Sequence, residues 1–162
     1  VYLSCANVPL APPPGRWAAF AMPLLPATTE LLAFENQAGR LYYQPASYVR
    51  LAWAPGRLPL PVIQEFYEQV LSLLRRTNVR RILSEHGQRE PLSQATQQWI
   101  SADWIPRAMQ QARTQHCAIV EGANPVHRLS TQSVVSSAPD GFLFRRFDTF
   151  APAAAWLCEL TV

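Results

Sequence analysis

The stretch that decides the fold runs from residue 79 to 124: VRRILSEHG (79–87), QREPLS (88–93), QQWISADWIPRAMQQA (97–112) and HCAIVEGAN (116–124). It reads as strand, loop, helix, strand. A helix that returns the chain to the same end of a sheet makes the two strands parallel. The second strand, around 117–120, is apolar throughout, as a central parallel strand is. Open parallel sheets accept ligands beyond the carboxyl ends of their strands. Here those ends are the loops at 84–89 and 121–124.

Upstream, Ile63, Phe66, Tyr67, Val70, Leu71 and Leu74 recur at helical spacing after Pro59 and Pro61, so an amphipathic helix packed on the sheet is expected. Glu65 and Glu68 early, with Arg75 and Arg76 late, suit its dipole, and Thr77-Asn78 ends it. Before it, ELLAFEN and RLYYQP flank a hairpin turn at Gln37-Ala38-Gly39, and Pro45-Ala46-Ser47 turns into YVRLAWAP. Val49, Leu51 and Trp53 alternate with Tyr48, Arg50 and Ala52, which predicts one face on a core. These three strands read as an antiparallel meander.

Downstream, Ser93 is a candidate N-cap of the tryptophan-bearing helix. Pro106 should kink or restart that helix near residues 103–105. Asn124-Pro125 opens a third helix whose apolar positions, Val126, Leu129 and Val134, are sparse. Pro139-Asp140-Gly141 turns into GFLFRRF, and Asp148 or Thr149 opens a last helix with Trp156, Leu157 and Leu160. The predicted class is α/β with a mixed sheet, order βββαβαβαβα, in one domain at 29–162. Residues 1–28 lack a helical or strand period, and Pro12-Pro13-Pro14-Gly15 breaks any regular element. The expectation there is a loosely attached or disordered extension, with residues 1–21 an over-extended reading frame and Met22 the natural start.

At 162 residues and 49% hydrophobic, the chain can bury a core, and no apolar run is long enough to span a membrane. All fourteen basic residues are arginine. That could mark phosphate or nucleic-acid recognition. However, the arginines are dispersed and accompany fifteen prolines, the codon signature of a GC-rich genome, so no nucleic-acid partner is expected. Cys5, Cys117 and Cys158 are odd in number and lack C-x-x-C spacing, which argues against a disulfide framework or zinc site. Cys117 and Cys158 read as small buried hydrophobes, and the compartment as cytoplasmic.

Phe34-Glu35-Asn36 with Ala38-Gly39-Arg40, Val49-Arg50-Leu51-Ala52-Trp53, Trp99-Ile100, Asp103-Trp104-Ile105-Pro106 and Ala155-Trp156-Leu157 carry a family resemblance. Over residues 30–160 the chain resembles STAS (SpoIIAA-like) domains, and among them a bacterial subgroup often grouped with CRAL-TRIO-like lipid-binding domains. The resemblance implies a non-enzymatic module of bacterial signalling that works through protein–protein contacts. The alternative that it implies is a binder of a small apolar ligand such as a lipid. In the family's phosphoswitched members, a serine follows an aspartate at the start of a helix. Ser93 is the nearest positional match, but Gln94 follows it and no Asp precedes it.

Ser84, Glu85, His86 and Arg89 in one loop, with Glu121, Asn124, His127 and Arg128 in the other, bring carboxylates, imidazoles and guanidinia to the expected ligand edge. They form either a polar pocket or partner-docking edge, or simply solvated loops. Ser84, Glu85 and His86 hold the residue types of a hydrolase triad. Neighbouring strand residues point to opposite faces, however, and no G-x-S-x-G elbow is present. No catalytic residue, cofactor or metal site is therefore assigned. Trp99 and Trp104, five residues apart, lie about 140° apart on an α-helix. Trp104 suits the core. Trp99 is expected either to pack on the sheet as well or to flank a groove or partner surface.

Overall fold

The computed structural model describes residues 29–160; the expectations for residues 1–28 lie outside them. Six strands form one sheet in sequence order: β1 (Leu31–Asn36), β2 (Gly39–Gln44), β3 (Tyr48–Trp53), β4 (Arg81–Glu85), β5 (His116–Val120) and β6 (Leu143–Phe147). The first three pair antiparallel and the last four parallel. The mixed α/β class and alternating order are as the pattern predicts. Gly39 closes the first hairpin at φ +148°, and a Cβ there would stand 2.2 Å from the Ala52 carbonyl oxygen. Only glycine fits so close an approach.

The crossovers are α1 (Leu60–Thr77), the broken helix α2 (Gln94–Trp99) and α3 (Ile105–Ala112), and α4 (Pro125–Ser137), with α5 (Phe150–Glu159) last. Strand alternation sorts the core into two. Val49, Leu51, Trp53, Ile82, Cys117 and Ile119 meet Ile63, Phe66, Tyr67, Ile100, Trp104, Ile105 and Val134 of the crossover helices. On the other face, Tyr48, Leu83, Ala118 and Val120 meet Ala153 and Leu157 of α5. Each fully buried large side chain stabilises by about 1.5–3 kcal/mol relative to exposure. In the main layer the Phe66 ring packs tilted against Trp53 with centroids 4.9 Å apart, and Tyr67 lies 4.6 Å from Trp104.

The break in the second crossover is a π-turn, residues Ile100–Trp104, in which the Ile105 N–H bonds back to the Ile100 carbonyl. Pro106 then occupies the first turn of α3, where its missing N–H costs nothing. The predicted restart is therefore present, in π rather than kinked α form. An i→i+5 turn brings residues five apart toward one side, so the 140° separation does not hold. Trp99 and Trp104 both contact Tyr67, and the Trp104 indole N–H donates to the Tyr67 carbonyl at 2.9 Å.

Two local expectations are corrected, and α4 shows a burial pattern that its sparse apolar positions did not specify. Cys158 is exposed, because α5 turns it away from Leu157 and Ala153 toward Ser47. α1 starts at Leu60, so its first turn carries no acid, although Arg75 and Arg76 do sit in its last turn. α4 is inverted: Val126 and Leu129 are 58% and 70% exposed, whereas His127, Ser130 and Thr131 face inward with Val134.

Candidate functional site

The loops after β4 and β5 are pinned together by backbone bonds. His86 N–H donates to the Val120 carbonyl, and Ala123 N–H to the Gly87 carbonyl. The loop after β3 joins them through Gly56 N–H on the Gln88 carbonyl and Glu90 N–H on the Gly56 carbonyl. Asn124 caps α4, its Oδ1 accepting from the N–H groups of Val126 and His127. That cap sets the first turn so that His127 points under the loops. Gly122 leaves room for it: a Cβ there would lie 3.3 Å from His127 Nδ1 and 3.1 Å from the Gly87 oxygen.

Beneath this roof lies a buried polar cluster. Ser84 and His86 are two residues apart, so they share a sheet face, and Ser84 Oγ lies 3.1 Å from His86 Nε2. The Trp53 indole N–H donates to the same Oγ at 3.0 Å. The Thr131 hydroxyl donates to a carbonyl, so toward His86 Nδ1 its oxygen accepts, and neutral His86 keeps its lone pair on Nε2, to which the Ser84 hydroxyl donates. The His86 Nδ1–H then faces Thr131 Oγ1 at 3.5 Å, and the Thr131 hydroxyl donates to the His127 carbonyl at 3.2 Å. Arg89, 3% exposed, donates its Nε–H to His127 Nε2 at 3.0 Å and lies 4.1 Å above the Trp53 ring. His127 is fully buried and therefore carries its proton on Nδ1. Neither that atom nor Arg89 Nη1 has a hydrogen-bond partner among the described residues.

The electrostatics follow from burial. Desolvation, then Arg89 and His127, holds His86 well below its ordinary value. Burial and the neighbouring guanidinium bring His127 down to about 4. Desolvation lowers Arg89 itself to about 10, opposed by the Tyr67 side chain, and burial raises Tyr67 to about 12. Both histidines are neutral at pH 7, and the cluster carries one positive charge. None of the ion pairs among the described residues includes Arg89. An uncompensated buried charge costs on the order of 3–5 kcal/mol.

Ser84, His86, Arg89 and Thr131 form one wall of a cavity of about 50 Å³ between the sheet and the crossover helices. The rest of the lining is chiefly apolar, including Leu51, Ile82, Ile119, Val134 and Phe144. Chemically the cluster offers hydrogen-bond donors and one cation to a molecule inside. Ser84 and His86 also have the spacing of a nucleophile and its base. The histidine's other nitrogen meets a threonine instead of an orienting carboxylate, and Arg89 disfavours the imidazolium that proton abstraction would create.

The predicted site residues divide. Ser84, His86, Arg89 and His127 converge, and burial replaces the solvated-loop alternative for the last three. Glu85 points to the opposite face, where it pairs with Arg50 at 2.9 Å. Ser93 and Asn124 are helix caps. Trp99 packs edge-on against Tyr67. Glu121 pairs with Arg146, leaving its Oε2 buried without a partner, and Arg128 holds the Gly122 carbonyl. Trp53, Tyr67 and Thr131 were not anticipated. For Thr131 the signal was present, since it stands one helical turn after His127.

Among the described residues no group of three or more His, Cys, Asp and Glu is placed to hold a metal ion, and no helix is long and apolar enough to cross a membrane. Compared with family models, curated proteins and solved structures, the chain matches none.

Proposed function

We propose that the protein is a STAS-like regulatory module that binds a small molecule in the cavity beneath its β4 and β5 loops. The observation that carries this is the cavity itself: apolar on most sides, with a single polar wall of buried, pre-positioned groups. That is the composition of a ligand pocket, in which a few polar atoms orient an otherwise apolar guest. Of the two readings that the family resemblance offers, ligand binding has this observation behind it. The volume argues against a lipid chain. A water needs at least roughly 10–15 Å³ of such space, so about 50 Å³ takes roughly four water-sized groups.

The test is a methyl and amide NMR screen of neutral and charged fragments of two to six non-hydrogen atoms. Perturbations should centre on Ile82, Ile119 and Val134. A screen in which no fragment moves those signals overturns the reading.

A second reading, a protein-interaction module, is favoured by Val126 and Leu129 standing exposed one turn apart on α4. Pull-down from the native host with wild type and a Val126→Ser, Leu129→Ser variant tests it; equal recovery of every partner by both sinks it. Hydrolysis ranks third, because the Ser84–His86 pair lacks an orienting acid. Labelling of Ser84 by a fluorophosphonate would reverse that ranking.

A further inference from the structure

We infer that the ligand of the cavity is a small planar organic monoanion, a short-chain carboxylate, taken up on the guanidinium of Arg89. The inference rests on the ligand-binding reading and adds the chemical class.

Arg89 is a buried cation without a counter-ion among the described residues. Its Nε–H is committed to His127, its ring-facing surface lies on Trp53, the Tyr67 side chain also meets the guanidinium, and Nη1 is left with no acceptor among the described residues. No Asp or Glu lines the cavity. Among the described residues nothing supplies the negative charge that a buried guanidinium needs, and the cavity lies against that side chain.

A carboxylate matches the guanidinium fork, which presents N–H groups in a plane. The remaining polar groups are consistent with it. His86 Nδ1–H is a donor on the same wall, only weakly engaged with Thr131 Oγ1 at 3.5 Å. Beside them, Ile82, Ile119, Val134 and Phe144 provide apolar lining for one or two carbons. A dianion such as phosphate finds one positive charge and too few donors. The volume fits acetate and propionate best, with butyrate too long.

The experiment is a thermal-shift titration of the full chain with formate, acetate, propionate and butyrate, alongside acetamide, propionamide, nitrate and phosphate at matched ionic strength. Acetate or propionate at about ten times Kd should raise Tm by about 3 °C, and the amides should not. Arg89→Met should fold with an unchanged or higher Tm, since it removes an unpaired buried charge, and should lose the carboxylate response. The comparison of acid with amide on wild type stands even if that variant does not fold. Equal shifts from propionamide and propionate overturn the anion assignment while leaving the cavity a binding site. A shift with nitrate or phosphate and none with any carboxylate overturns the carboxylate. No shift with any compound overturns both the assignment and the ligand-binding reading.

Discussion

His127 shows how one side chain ties the site to stability. Its neutral form accepts from Arg89 and is held far from water, so its proton affinity in the fold corresponds to about 4 against 6.5 when unfolded. As pH falls from 6.5, the unfolded chain takes up a proton that the folded chain refuses. Stability contributed by the neutral ring is therefore complete above pH 6.5 and is lost progressively toward pH 4. The shift corresponds to about 3 kcal/mol. Urea unfolding at several pH values should show His127→Gln losing much less stability over that window than wild type. Identical slopes would contradict the burial. Gly39 makes a separate prediction: Gly39→Ala should cost about 2–4 kcal/mol through backbone strain and the Ala52 clash, read as a lower urea midpoint. Ser84 and His86 could have been paired from sequence, since positions i and i+2 share a strand face. The isolation of Arg89 could not, because it depends on Trp53 of β3 and His127 of α4, distant in sequence and adjacent only once the sheet has formed.

Among the elements, α4 departs furthest from its sequence pattern. A helix is expected to bury its apolar residues, yet this one turns Val126 and Leu129 outward and lays His127, Ser130 and Thr131 on the layer below. The Asn124 cap fixes the start, and Arg89 and His86 supply the polar partners that make a polar inner face tolerable. Leu129→Ser should change stability by less than about 0.5 kcal/mol, whereas Val134→Ala, which opens space beside Phe144 and Ile119, should cost about 1–3 kcal/mol. Chemical denaturation of both variants checks the inversion; the reverse order of costs would refute it. The tryptophan helix illustrates a different limit. Its restart before Pro106 was legible from the proline, but the π-turn was not, because no single residue type demands an i→i+5 bond. That one extra residue decides that Trp99 joins Trp104 on Tyr67.

For the molecule as a whole, the alternation of strand and helix after residue 60 was sufficient to predict a mixed sheet, antiparallel first and parallel after. The structure adds that the strands lie side by side in chain order. That order lays the three crossovers on one face and leaves the other to α5, with Arg50 bridging Glu30 and Glu85 beside it. It also sets the ends of β3, β4 and β5 next to one another, so that their loops roof a single cavity. The polar residues at those ends were visible in the sequence. Their enclosure was not, since it results from the packing of α1, α3 and α4 together.

The most direct test of the account is a high-resolution crystal structure of the chain grown in propionate. The account predicts a molecule in the cavity with its carboxylate on Arg89 Nη1 and its methyl group toward Ile119 and Val134. A cavity that holds only water, or side chains that close it with Arg89 turned out to solvent, would contradict it.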